Sequence, residues 1–340
     1  MRWQIVSPLT AMVVAGSALA ACTPQDRTVI GVLAPDTSSP LVAQPGISAF
    51  RDRVTRRCGG CSVVVSADGS TPEALQGLLA QGVDVVVVQA LTADQGEALV
   101  AAAGSVPLVA FERWFAGADY LVSYDRSSTG VEVADAVADG IRDGASALVV
   151  DGSSTDLDTD LVEQGVRDGL AAGGVTVAAE LDPTTATAAE TRDWVAAQLA
   201  DRRPGAIGAV VTVTDEQALG ALAAVRAADL DQTERPMLTG AGAGLSAVRR
   251  IIAGGQTLSV HMPVGVLSER AADLAVALVA GQPADLDGAT DLEGVPAFVY
   301  DPVVVTRDNL TDVVVRDGTF TTEQLCSGSV AAACERLGVR

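Results

Sequence analysis

The sequence predicts an α/β protein with two lobes, each built on a doubly wound parallel sheet of the Rossmann-like kind. Short valine-rich runs alternate with alanine-rich amphipathic stretches along nearly the whole chain, and this alternation is typical of open α/β sheets. The valine-rich runs are apolar without strict alternation, as expected of parallel strands covered on both faces. About ten strand–helix repeats are too many for one compact sheet, so two lobes are expected.

The predicted elements follow one another in regular order. Strands are expected over residues 29–34, 62–66, 83–88, 107–111, 120–123, 147–150, 175–179, 209–213, 237–239, 257–261 and 297–305. Helices are expected over residues 71–79, 94–103, 129–141, 161–171, 190–199, 215–228 and 264–280. Thr71 before Pro72, and Thr214, mark helix starts, because a hydroxyl caps the first turn and proline fits within it.

The first 22 residues have the features of an export signal. Arg2 precedes an apolar run over residues 9–20, and small residues lead to Cys22. A charged start, a short apolar run and small residues at the cut predict a secretory signal over residues 1–21. The ending Leu19-Ala20-Ala21-Cys22 resembles the bacterial lipobox, which implies cleavage before Cys22 and lipidation of that residue. The alternative is an ordinary signal peptide with a chance cysteine. We therefore expect an extracytoplasmic, membrane-anchored protein with a short polar tether over residues 22–27.

The charge balance is acidic. The chain has 43 acidic and 22 basic residues, all of the latter arginine, for a net charge of −21. Nucleic-acid binding needs a basic surface, so this class of function is excluded.

Four further cysteines are informative in an exported protein. Cys58 with Cys61 and Cys326 with Cys334 form the pairing that closes the shortest loops, and we expect two structural disulfides. The Cys58–Cys61 spacing also fits a redox motif, but it lies at the end of a helix and leads into a strand, the reverse of the activating setting. A zinc site is disfavoured because the chain has a single histidine.

Residues that follow the predicted strands are the candidate binding positions, because open α/β sheets bind ligands at the carboxyl ends of their strands. Several stretches around these positions match a known family in order and spacing. They are residues 82–88, 107–113, 120–125, 245–263, 295–296, 309–310 and 315–318. On these residues the chain resembles the type I periplasmic sugar-binding proteins, and among them the D-xylose-binding branch. The resemblance covers residues 29–320.

The resemblance implies two lobes that close on a sugar about a hinge of three chain segments. The segments are expected near residues 124–126, 262–263 and 287–295. The first lobe would then comprise residues 28–124 and 263–288, and the second residues 125–262 and 289–322, followed by a disulfide-tied tail over residues 323–340. The resemblance also implies a monomer that delivers its ligand to an ABC permease, without a cofactor.

The family's ligand positions carry over unevenly. Glu112 and Arg113 stand where the family has an Asp-Arg pair that grips sugar hydroxyls, as a guanidinium fork can. The alternative is that Arg113 is a surface charge paired with Glu112. Trp114 either stacks on a sugar ring or packs at the lobe edge. Asp125 and Asp215 either contact the ligand or cap helices.

In the second lobe, Asp156 and Asp158 fall on or near polar ligand positions, and Thr214 stands where the family has asparagine. Two positions depart from the pattern: Gly242 replaces an aspartate and Met262 replaces a lysine. The family's amino-terminal arginine and stacking aromatic are also missing from residues 39–42. These losses predict either a ligand other than xylose, which we favour, or a loss of the binding function.

The first functional hypothesis is therefore a solute-binding lipoprotein of an ABC importer for a monosaccharide or related polyol. The alternative is a lipoprotein of the same fold that senses a ligand and acts on a membrane receptor. An enzyme is not expected, because the sequence has no Ser-His-Asp order, metal-ligand cluster or P-loop. The single histidine, His261, lies on an apolar strand and is interpreted as a core residue.

Overall fold

The computed structural model describes residues 28–152, 157–183, 185 and 187–339. The predicted leader, Cys22, the tether and Asp156 lie outside the described residues, as does the side chain of Asp158. In the part of the chain that is described, none of the helices is both long and apolar enough to cross a membrane.

Strands and helices alternate as predicted. The strands are β1 (Val29–Leu33), β2 (Ser62–Ser66), β3 (Val85–Val88), β4 (Leu108–Phe111), β5 (Tyr120–Tyr124), β6 (Ser146–Val150), β7 (Val177–Leu181), β8 (Ile207–Thr212), β9 (Met237–Leu238), β10 (Leu258–His261), β11 (Thr290–Leu292), β12 (Val295–Tyr300) and β13 (Val303–Thr306). The helices are α1 (Gly46–Arg57), α2 (Pro72–Leu79), α3 (Ala93–Ala103), α4 (Arg126–Gly140), α5 (Leu157–Ala172), α6 (Ala188–Ala200), α7 (Asp215–Ala227), α8 (Leu245–Ala253), α9 (Val264–Val279), α10 (Thr322–Leu325) and α11 (Ala331–Leu337).

The first lobe is built on a seven-stranded sheet with the order β11-β12-β5-β4-β3-β1-β2. Its pairs are parallel except for β11 with β12. The central valines of β3 are fully buried, because helices cover both faces of the sheet. One face packs against α1 and α9 through Phe50 and Leu267, and the other packs against α2 and α3 through Leu75 and Leu99.

The second lobe has a four-stranded parallel sheet with the order β7-β6-β8-β9 and an antiparallel pair, β10 with β13. A parallel bridge between Ala241 and Val260 joins the two parts beside β9. Helix α4 packs tightly on α5, and α6 packs on α7. The parallel, two-lobed α/β architecture confirms the predicted fold class.

The chain crosses between the lobes at three places, and one of them differs from the prediction. The crossings after β5 and after β10 lie where they were expected, at residues 124–126 and 262–263. The third was expected near residues 287–295, but β12 pairs with β5 of the first sheet, with Phe298 opposite Val122. The chain leaves that sheet at residues 301–302, where Pro302 has no N–H to continue the ladder. Residues 289–300 therefore belong with the first lobe, and the predicted strand 297–305 is two strands in two sheets.

Both predicted disulfides are present. Cys58 caps the end of α1 and bonds to Cys61 just before β2, with 5.4 Å between their Cα atoms. Cys326 bonds to Cys334 and ties α10 to α11, with 5.7 Å between Cα atoms. The tail packs on α8 through Leu325 and Cys334.

Candidate functional site

The carboxyl ends of the first-lobe strands carry a connected row of polar side chains. Gln89, after β3, donates from Nε2 to Glu112 Oε2 at 2.6 Å, and its own Oε1 accepts from the Ser39 hydroxyl. Arg126, the first residue of α4, places Nη2 3.8 Å from Glu112 Oε1. The Glu112 carboxylate is thus held between a first-lobe amide and a second-lobe guanidinium, at the first crossing.

Glu112 owes its position to an unusual backbone conformation. Its φ is +65°, a left-handed value that non-glycine residues adopt rarely and mostly at functional or tightly held sites. The Ser123 hydroxyl donates to the Glu112 carbonyl at 2.8 Å and holds the turn after β4. Arg113 follows directly and is partly buried, and the Glu112-Arg113 pair comes immediately after β4.

Trp114 and Asp125 both make contacts within the protein. Trp114 packs against the first-lobe core, and its indole Nε1 donates to the Leu292 carbonyl at 3.2 Å. The Asp125 carboxylate caps α4 by accepting from the backbone N–H of Ser127 and Ser128 at 3.0 and 3.1 Å. Of the two roles expected for each residue, these contacts favour packing for Trp114 and helix capping for Asp125.

Thr214 and Asp215 position the glycine loop of the second lobe. Thr214 and Gln217 form a reciprocal capping box at the start of α7. The Asp215 carboxylate accepts from Ser259 Oγ at 2.7 Å, Gln256 Nε2 at 3.0 Å and the Gly244 N–H at 3.2 Å. Burial raises the pKa of Asp215 from its usual value, although these hydrogen bonds oppose the shift. Asp215 therefore anchors residues 240–244 rather than projecting freely.

A pocket of about 430 Å³ lies at the second crossing and has walls from both lobes. We call it the crossing pocket. Gly242, Gly244, Met262 and Phe320 line it from the second-lobe side, and Ala49 of α1 lines it from the first lobe. Two of the predicted ligand positions, Gly242 and Met262, thus lie together. Glu112 and Arg113 are not among the described residues that line the pocket. The Tyr124 hydroxyl, which donates to the Pro263 carbonyl at 3.0 Å, links the first and second crossings.

His261 also lines the crossing pocket. It is 3% exposed, and its Nε2 lies 2.8 Å from Asp317 Oδ2 and 3.3 Å from Thr319 Oγ1. Its other ring nitrogen, Nδ1, is buried without a hydrogen-bond partner among the described residues. The interpretation of His261 as a satisfied core residue therefore holds for only one of its two nitrogens. The sequence offered one signal for this position: a single histidine at the carboxyl end of an apolar strand.

A second polar cluster lies at the end of β6. Its Asp151 follows a predicted strand and is therefore a candidate position by the rule given above, but its partners on α5 and β7 were not selected from the sequence. Arg167 Nη2 is 2.8 Å from Asp151 Oδ2 and 3.5 Å from Glu163 Oε2, and Arg167 Nε is 2.8 Å from Glu180 Oε1. The Asp151 side chain is only 5% exposed. Burial, with the nearby Glu180 and Glu163 carboxylates, raises the pKa of Asp151 to about 7. Two features of the sequence could have indicated this cluster. Asp151 directly follows a buried strand, and Glu163 and Arg167 are spaced so that they can pair on one face of a helix.

The described residues contain no group of three or more histidine, cysteine, aspartate or glutamate side chains arranged to hold a metal ion. The Asp151 cluster brings three carboxyl groups, those of Asp151, Glu163 and Glu180, to one guanidinium, that of Arg167.

Comparisons with known proteins agree with this architecture. The family model described as "Periplasmic binding protein domain" matches residues 30–283. The chain is 26% identical over 270 residues to the D-xylose-binding periplasmic protein of Haemophilus influenzae, covering 76% of this chain and 80% of the relative. These matches confirm the resemblance predicted from the sequence.

Two solved structures show the same fold. A carbohydrate transporter solute-binding protein from Chloroflexus aurantiacus, in complex with D-glucose, aligns with a TM-score of 0.70 and 21% identity over 87% of this chain and 97% of its own. The Caulobacter myo-inositol binding protein, bound to myo-inositol, aligns with a TM-score of 0.64 and 24% identity over 87% and 98%.

Proposed function

Because the chain belongs to the family of periplasmic binding protein domains, we propose that it is the extracytoplasmic solute-binding lipoprotein of an ABC-type importer. Its ligand is a monosaccharide or a related polyol held between the lobes. The protein acts by binding and releasing this ligand, not by converting it. The observation that carries the proposal is a pocket with walls from both lobes at a crossing between them, because closure about such crossings is a recurring device for enclosing a ligand.

The named relatives support the class of ligand. The relative in Haemophilus influenzae is named for D-xylose, and the two similar structures contain D-glucose and myo-inositol. All three are small, neutral, polyhydroxylated molecules. Gly242 and Met262 offer no charged group to such a ligand, and a hydrogen bond to a charged group contributes about 1.5–3 kcal/mol. Xylose is therefore expected to bind weakly.

We expect a thermal-shift screen of pentoses, hexoses, polyols and nucleosides to identify a stabilising ligand. At about 100 times its dissociation constant, a ligand adds about 2.7 kcal/mol to the free energy of unfolding.

Arg113→Ala is expected to weaken binding of the ligand found by about 10- to 100-fold, because a charge-assisted hydrogen bond is lost. Titration calorimetry checks this value.

The matched control is Arg192→Ala. Arg192 is an exposed arginine on α6 that pairs only with the adjacent Asp193 among the described residues, and its loss is expected to leave affinity unchanged. If no compound in the screen shifts the melting temperature, the transport proposal is wrong.

The proposed lipid anchor has its own test. Cell fractionation is expected to find the wild-type protein with the membrane and the Cys22→Ser protein in the exported soluble fraction, because several buried acyl chains give stable anchoring. Equal distribution of the two proteins would show an ordinary signal peptide instead. The Cys58–Cys61 disulfide, being separate from Cys22, is expected to form in both.

A further inference from the structure

The walls of the crossing pocket are largely apolar. Met262 and Phe320 present a thioether and an aromatic ring, Ala49 adds a methyl group, and Gly242 and Gly244 add no side chain. Pockets that bind small organic molecules are mostly apolar with a few placed polar groups. Such walls suit a ligand that has a hydrocarbon part.

The charged groups of the pocket are already engaged. Glu269 lies 3.2 Å from Arg56 and 3.7 Å from Arg53, and Asp317 lies 2.8 Å from His261. No arginine is found among the described residues that line the pocket. A negatively charged sugar would therefore meet two carboxylates and no guanidinium, so the pocket selects a neutral ligand.

Polar groups of the pocket remain for the sugar part of a ligand. Ser48 and Thr319 line the pocket, and each has a hydroxyl group that can donate and accept hydrogen bonds. His261 Nε2 lies 2.8 Å from the Asp317 carboxylate, and His261 Nδ1 is buried, so this histidine is not open to a ligand.

The crossing pocket is larger than one small sugar. Its volume is about 430 Å³, within the range of roughly 300–1,000 Å³ that holds drug-sized ligands. The absent side chain at Gly242, where the resembling family has aspartate, contributes to this space.

From these observations we infer that the ligand is a neutral glycoside, whose apolar aglycone occupies the crossing pocket beside Met262 and Phe320. This inference rests on the proposed function, since it specifies the class of sugar that the cleft binds.

The test compares matched pairs of compounds by titration calorimetry: phenyl β-D-xyloside with D-xylose, and phenyl β-D-glucoside with D-glucose. In at least one pair the phenyl glycoside is expected to bind about tenfold or more tightly than its parent sugar, because the ring is removed from water. Equal or tighter binding of the parent sugars overturns the inference and leaves the proposed sugar binding intact. Failure of all four compounds, and of the wider screen, overturns both.

A pocket-filling series locates the effect. A Cβ at Gly244 meets no atom within 4 Å, and the φ of Gly244 is −64°, so a side chain fits without backbone strain. The preference is the ratio of the dissociation constant of the parent sugar to that of the phenyl glycoside. Gly244→Ala is expected to reduce this ratio, and Gly244→Leu is expected to bring it to within about threefold of one. The control is Gly77→Leu, at an exposed site in α2 that is equally open, and it keeps the full preference. If the preference survives Gly244→Leu in a folded protein, the aglycone lies elsewhere.

Discussion

Replacing Gly130 with alanine is expected to lower the free energy of unfolding by about 3 kcal/mol or more, because the added methyl group has no space to occupy. A Cβ at Gly130 would lie 2.0 Å from the Val162 carbonyl oxygen and 2.6 Å from the Val166 nitrogen. Both atoms belong to the backbone of α5, so no side-chain rotation relieves the clash. The reciprocal contact is as close: a Cβ at Gly165 would lie 2.3 Å from the Ser127 carbonyl oxygen.

Urea denaturation followed by circular dichroism measures this loss. The control is Gly77→Ala in α2, where a Cβ meets no atom within 4 Å. It is expected to be neutral or to stabilise by about 0.5–1 kcal/mol, since alanine is the better helix former. A loss below about 1 kcal/mol for Gly130→Ala would show that α4 and α5 can separate freely, contrary to the packing described here.

The second large effect is a pH dependence that Asp151→Asn should remove. The folded-state pKa of Asp151 is raised to about 7 from its usual 3.8, chiefly by burial. Between pH 3.8 and about pH 7, the Asp151 carboxyl group is therefore protonated in the folded protein and ionised in the unfolded chain. Stability from this residue is therefore present at low pH and declines as the pH rises from about 4 to about 7, by about 2–4 kcal/mol in all.

Glu180 acts in the opposite sense at lower pH. Hydrogen bonds from Asp151 and Arg167, and the charge of Arg167, lower its pKa in spite of burial. The stability that Glu180 contributes is present above its ordinary pKa and is lost as the pH falls below that value. The decline between pH 4 and 7 therefore belongs to Asp151.

The measurement is the free energy of unfolding of wild type and Asp151→Asn at a series of pH values from 4 to 8. The difference between the two proteins is expected to change steadily with pH across this range. Asp139→Asn, which removes an exposed acid on α4, controls for the loss of one charge and should run parallel to the wild type. Parallel curves for wild type and Asp151→Asn would contradict the assignment.

Particular residues show how far sequence reasoning reached in the fold. The buried valines of β3 and the apolar run of β8 were predicted as strands because local composition specifies them. Helix α1 was expected only as a helix that ends at Cys58, and its start was not predicted, since its first turn has no side-chain cap and its buried residues are few. The third crossing was misplaced because residues 297–305 form one apolar run in the sequence, and only hydrogen bonding decides which sheet each half joins.

The candidate site shows the same division. Glu112, Arg113, Gly242 and Met262 were selected from position and resemblance, and the structure places the last two in one pocket. Asp125 was left open between ligand contact and capping, and its hydrogen bonds favour capping. The Gln89–Glu112 bond and the contacts of Arg167 were not foreseen, since Gln89 and Glu112 lie 23 residues apart in the chain, and Arg167 lies 16 residues from Asp151 and 13 from Glu180.

By itself, the sequence determined the α/β class, the doubled lobes and the cysteine pairing, because hydrophobic periodicity and short loop closures act over neighbouring residues. Only the tertiary structure decided which strand ends meet, that Asp215 holds the glycine loop, and that His261 Nδ1 is buried without a hydrogen-bond partner among the described residues. Those features depend on contacts between residues far apart in the chain, and local propensity carries no information about such contacts.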